Sequence, residues 1–107
     1  MIVRTELEPS RRTAHLAGRF DAHEAPGFRS VVHPLVTAEN PVILMNLSQV
    51  AFLDSTALAE LVRLQKQARS LGGEVVLVDP ADAVRVILEI TAIAEVFTIR
   101  SSGDGPS

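Results

Sequence analysis

The sequence predicts an α/β domain. Its sheet is mixed and mostly parallel, with four to five strands and helices packed on it, in the order β β α β α β α β. Three observations predict it. Two short runs, VILMNL (42–47) and EVVLV (74–78), have strand length and almost no polar residue. Between them, residues 55–71 repeat apolar side chains at helical spacing. Two strands joined through a helix must lie parallel, with a right-handed crossover, so this unit sets the architecture.

The elements follow in chain order. Residues 2–7 and 13–17 read as two strands, and EPSRR between them carries Pro and Ser, as a turn does. Gly18 ends the second strand. RFDAHEAP is a loop that leads into the first helix. Phe28, Val31, Val32, Leu35 and Val36 form that helix's stripe at i, i+3, i+4, i+7 and i+8. Asp21 and Glu24 have the spacing of a cap and its capping-box partner. Pro34 removes one helical hydrogen bond, so it kinks or shortens this helix. ENP then breaks the chain before VILMNL, a continuous apolar run of the kind buried on both faces of a sheet.

The second helix turns Leu58, Leu61, Leu64, Ala68 and Leu71 inward. Glu60, Arg63, Lys66, Gln67 and Ser70 are expected to face water. Gly72-Gly73 stops it. After EVVLV, Asp79-Pro80 opens a third helix, with the proline in the first turn where its missing N–H does no harm. Val84, Ile87, Leu88 and Thr91 give its stripe. Residues 97–99 make a last edge strand. SSGDGPS (101–107) has the composition of a disordered tail, which leaves the folded domain at 1–100. No internal repeat or second domain is visible.

Composition excludes several classes of function. At 107 residues and 47% hydrophobic, the chain suits one domain with a real core. Net charge is −3, with both signs interspersed. No basic patch argues for nucleic acid, and with no Trp or Tyr there is little aromatic surface on which bases could stack. The absence of cysteine removes disulfides, thiolate nucleophiles and Cys-based metal sites. The first residues carry charges throughout and no apolar h-region, so a signal peptide is not expected. No apolar run approaches a membrane span, so membrane insertion is not expected and a cytoplasmic location is.

The candidate chemistry is sparse. His15, His23 and His33 fall on a strand, a loop and a helix, with no metal-ligand spacing. A serine hydrolase would need a nucleophile elbow flanked by glycines, and Ser55 stands between Asp54 and Thr56. Gly72-Gly73 precedes a strand, where a phosphate-binding loop would precede a helix. No metal or cofactor is expected.

Asp54-Ser55-Thr56 remains, at the point where a buried strand gives way to a helix. All three are good helix caps, each worth about 1 kcal/mol. One cap suffices, yet three polar residues stand in a row. The carboxyl end of a parallel strand is where open α/β sheets present their functional edge. Free N–H groups and the helix dipole also tolerate an anion there. Capping and function both stay open on these grounds.

The run VILMNLSQVAFLDSTALAEL resembles the signature of the STAS domain, shared by anti-anti-sigma factors and related regulators. The matching residues are Asn46, Leu47 and Ser48, then Phe52, Leu53, Asp54, Ser55, Thr56, Ala57 and Leu58. GRFDAHEAPGFR is similar to the family's Gly-x-x-Asp loop, through Gly18 and Asp21. LGGEVVLVDP is similar to its Gly-Gly link. The resemblance runs from about residue 2 to residue 100.

The resemblance implies a protein that binds an anti-sigma factor, often itself a serine kinase, and so frees a sigma factor for transcription. Phosphorylation of the hydroxyl after the motif's aspartate, here Ser55, switches binding off, and a phosphatase resets it. ATP belongs to the kinase, and the domain itself catalyses nothing. Partner contacts are expected at Asp21, Asp54, Ser55, Thr56 and Ala57. Ala57 stands where the family usually has glycine, and its Cβ adds bulk at the helix start. Many relatives carry one more helix after the last strand, and its absence leaves room for pairing with a second copy. Alternatives within the fold are a non-phosphorylated subunit of a lipid-transport complex and a stressosome-like scaffold.

Overall fold

The computed structural model describes residues 1–9 and 11–102 of the chain. Five strands form one sheet in the order β1-β2-β3-β4-β5: β1 Ile2–Glu8, β2 Arg11–Phe20, β3 Val42–Leu53, β4 Glu74–Val78 and β5 Thr98–Arg100. β1 pairs antiparallel with β2, and every later pair is parallel. The helices are α1 Ala25–Val32, α2 Ser55–Ser70 and α3 Asp82–Ile90, with 3₁₀ turns at His33–Leu35 and Ile93–Val96. The predicted α/β class and element order are both present. Residues 103–107, most of the expected tail, lie outside the described residues. Ser102 is tied to the fold, its N–H and hydroxyl donating to Asp79.

The three crossovers step one way across the sheet, so right-handedness sets all helices on one face. Ala14, Leu16, Ile43, Met45, Leu47, Val75 and Leu77 point into that layer and meet Phe28, Val32, Leu61, Leu64, Val84 and Leu88. The expectation of a sheet buried on both faces is therefore corrected. Along β3, Val42 is exposed and Leu44 and Asn46 are only half-buried, between fully buried neighbours. Val76 is shielded on the open face by its own row, flanked by Leu44 and Thr98.

Several boundaries differ from expectation, each for a local reason. β2 passes through Gly18, which takes φ +98° as the register with β3 shifts. β3 runs on past Leu47 to Leu53, because β2 also continues and supplies partners. Pro34 does shorten α1, which ends at Val32 and gives way to a 3₁₀ turn. Val31, placed on the stripe, is exposed, while Phe28, Val32 and Val36 are buried. α3 begins at Asp82, not at Asp79-Pro80, because Asp79 adopts φ +49° and donates its N–H to Arg100 O.

α2 ends as its glycines predict. Gly73 N–H donates to Ala68 O and Gly72 N–H to Arg69 O, with Gly72 at φ +90°. Those two bonds make a Schellman motif. Gly73 also lies against Pro41, where a Cβ would fall 2.1 Å from the carbonyl oxygen.

Candidate functional site

The sharpest local order surrounds Asp54. As N-cap of α2, its Oδ1 accepts from Ala57 N–H at 2.9 Å. Its Oδ2 accepts from Ala22 N–H at 2.9 Å, in the loop after β2. Its own N–H donates to Phe20 O at 3.3 Å. One aspartate thus fastens the start of α2 to the end of β2. Both its oxygens are engaged by backbone.

Asp21 sits in that same loop. Its Oδ1 accepts from Glu24 N–H at 3.1 Å, as a cap would. The expected return contact from Glu24 is absent: its carboxylate takes the N-terminal ammonium at 3.0 Å instead. Asp21 and Asp54 bracket one short loop and bring two carboxylates to the same edge of the sheet. Beside them Arg19 stacks over the Phe52 ring, 4.1 Å to its centroid. The two residues are cross-strand partners.

Ser55 and Thr56 are the first two residues of α2, and both are exposed. Their N–H groups belong to the first turn, where no intrahelical acceptor exists. Ala57 is placed otherwise. It is fully buried, and its side chain belongs to the core. Its Cβ faces inward, away from anything approaching Ser55. Of the five residues predicted for the site, four gather at this edge with accessible surface and one lies beneath it.

The histidines do not serve Ser55. His15 Nε2 lies 2.7 Å from Glu6 Oε1, and His33 Nε2 lies 3.6 Å from Glu60 Oε2. Among the described residues, no hydrogen bond joins a histidine to Ser55 and no group of side chains has metal-ligand geometry.

Glu60 is the chief surprise. The helical pattern put it in water, yet it is 1% exposed. Arg29 Nη2 donates to it at 2.5 Å and Arg29 Nε at 3.1 Å, while Arg63 Nη1 donates at 2.8 Å. The Arg29 bonds hold its carboxyl below the usual range against the opposing effect of burial. Burial in turn lowers His33, with Glu60 opposing. This cluster clamps α1 to α2. The only sequence signal was the i, i+3 spacing of Glu60 and Arg63, which also fits two solvated residues.

A groove of about 450 Å³ runs along the outer side of α2 from Ser55, with Leu58, Ala59, Val62, Lys66 and Ile93 among its walls. Sequence reasoning missed it, because Ile93 joins α2 only through the fold.

Comparison with known proteins agrees with this architecture. The STAS domain family model matches residues 4–104. The chain is 30% identical over 95 residues to the anti-sigma-B factor antagonist of Listeria monocytogenes, an alignment covering 85% of this chain and 83% of that protein. An anti-sigma-factor antagonist (STAS) domain protein from Planctomyces limnophilus superposes with TM-score 0.80 at 22% identity, covering 92% and 89% of the two chains. The anti-sigma factor antagonist SpoIIAA in its unphosphorylated form superposes with TM-score 0.78 at 16% identity, over 92% and 87%. The Bacillus SpoIIAA in its phosphorylated form does so with TM-score 0.72 at 15% identity, over 92% and 90%.

Proposed function

The chain belongs to the STAS domain family, and from that premise we propose that it is an anti-sigma factor antagonist switched by phosphorylation of Ser55. One observation carries the reading: Ser55 stands exposed at the first position of α2, beside a carboxylate whose oxygens are both spent on backbone. A hydroxyl so placed is offered to another protein's chemistry and has no base of its own. Hydrolysis by Ser55 is disfavoured for the same reason. The relatives named as anti-sigma factor antagonists support the partner class.

The switch follows from charge. Unphosphorylated, the edge formed by Asp21, Asp54, Ser55 and Thr56 docks on an anti-sigma factor that is also a serine kinase. Phosphorylation adds about −1.5 to −2 charges at pH 7. In the free protein, water and the helix N-terminus accept that charge. In the complex it must be desolvated beside two existing carboxylates. A penalty of about 3–4 kcal/mol weakens binding roughly 10²–10³-fold. A phosphatase restores the hydroxyl.

The test uses the cognate anti-sigma kinase and ATP. Wild type gains one phosphate and Ser55→Ala gains none. Ser55→Ala keeps partner binding in calorimetry, whereas Ser55→Asp loses it by about two orders of magnitude. Ser55→Asp leaves the fold intact, because an acid in the first helical turn is favourable. Retained binding by a folded Ser55→Asp overturns the proposal and favours a non-phosphorylated STAS subunit.

A further inference from the structure

We propose that the groove beside Ser55 receives an acidic amphipathic helix of the partner protein. The proposal builds on the docking reading above and adds the chemistry of the contact. The groove floor is apolar, formed by Leu58, Ala59 and Val62 of α2 and by Ile93 of the turn after α3. Ile90, one residue before the groove-lining Thr91, leaves 75% of its surface exposed. An apolar surface of this kind calls for an apolar occupant.

Charge decides which occupant. The protein is net acidic, at −3, and the Ser55 end of the groove carries Asp54. Further along, the rim is basic, with exposed Arg63 and Lys66. Lys66 has no ion-pair partner among the described residues. Arg63 shares the single carboxylate of Glu60 with Arg29, so two cations stand against one anion and a positive charge is left over. Ser55 and Lys66 are 11 residues apart on one helix. That is about 16 Å, or three turns, at 1.5 Å per residue. A length of three helical turns, an apolar floor and cations toward one end fit a helix with leucines on one face and carboxylates near one terminus.

The test is a fluorescence-anisotropy titration of the full chain with a labelled helical peptide of roughly 14 residues, about four turns. Its leucines sit at i, i+3 and i+7, and glutamates flank them near one end. A matched peptide carries lysine for glutamate. The glutamate peptide is expected to bind about tenfold more tightly than the lysine peptide, and to weaken with added salt. Lys66→Glu removes that preference. Ala59→Gln, which fills the groove with a good helix former, abolishes binding of both peptides. The peptide titration involves no kinase and no phosphate, so it reads the groove whatever Ser55→Asp does to binding of the anti-sigma factor. A failure of the Ser55 switch is thus distinguishable from a failure of the groove. Equal binding of the two peptides, no binding of either, or a dimer in sedimentation that Ala59→Gln dissolves would each overturn the proposal, the last by showing a second copy as the occupant.

Discussion

Replacing Asp54 by alanine and by asparagine separates the two bonds its carboxylate makes. Alanine removes both. The lost cap costs about 1 kcal/mol. The bond from Ala22 N–H, to an ionised acceptor but in an exposed setting, is worth about 0.5–1 kcal/mol. The sum is about 1.5–2 kcal/mol. Asparagine is an equally good cap, so its oxygen can keep Ala57 N–H. Its NH₂ group then faces Ala22 N–H, donor against donor, and only the loop bond is lost, at about 0.5–1 kcal/mol. With Tm moving about 5 °C per kcal/mol in a domain of this size, alanine should lower Tm by about 8–10 °C and asparagine by about 3–5 °C. Urea denaturation followed by circular dichroism measures both, with an unchanged m-value showing that the denatured state is the same. If the two variants are equally destabilised, the cap and the loop bond are not separate contributions. An undamaged alanine variant refutes the clip altogether.

Two further outcomes follow from the packing. Glu60→Gln should cost about 1–3 kcal/mol at neutral pH, less than a fully buried pair because Arg29 and Arg63 can return to water. Since the folded Glu60 pKa is depressed, its stabilisation is present above the ordinary carboxyl range of about 4.3 and fades as pH falls through the lower folded value. Urea midpoints measured from pH 7 to pH 3 should therefore converge for variant and wild type at the acid end, and a constant gap contradicts the ion cluster. Gly73→Ala should destabilise by about 2 kcal/mol or more, since its Cβ meets Pro41 backbone. Gly72→Ala meets open space and carries only the strain of φ +90°, about 1 kcal/mol. The reverse ranking in thermal melts would show that backbone strain outweighs the collision.

What could be read in the sequence was whatever depends on neighbours along the chain. The Asp54 cap, the Gly72-Gly73 stop and the helix shortened at Pro34 all act within a few residues, and each appears where expected. What escaped depends on distant partners. Nothing near Glu60 tells that Arg29, 31 residues away, will supply two donors and make burial affordable. Gln65 is the same case: its amide bridges Val75 N–H and Val96 O, so a polar residue lies buried beneath α2. The coverage of the sheet is hidden from the sequence for a related reason. An apolar run shows that a strand is central, and β3 and β4 both are, but not which faces the helices cover.

The same division explains how one short motif can hold an architectural role and leave room for the proposed regulatory one. Asp54 turns both oxygens toward backbone, so its charge is committed before any partner arrives. Ala57 turns its Cβ into the core. Between them Ser55 is left exposed, with no side-chain hydrogen bond among the described residues, on a helix end whose geometry its neighbours already guarantee. A change of charge at Ser55 then has no fold to disturb: the cap, the loop bond and the buried stripe of α2 are independent of it. In the proposed switch, whatever a phosphate costs would fall on the complex alone, and that separation is what a reversible switch on a marginally stable domain requires.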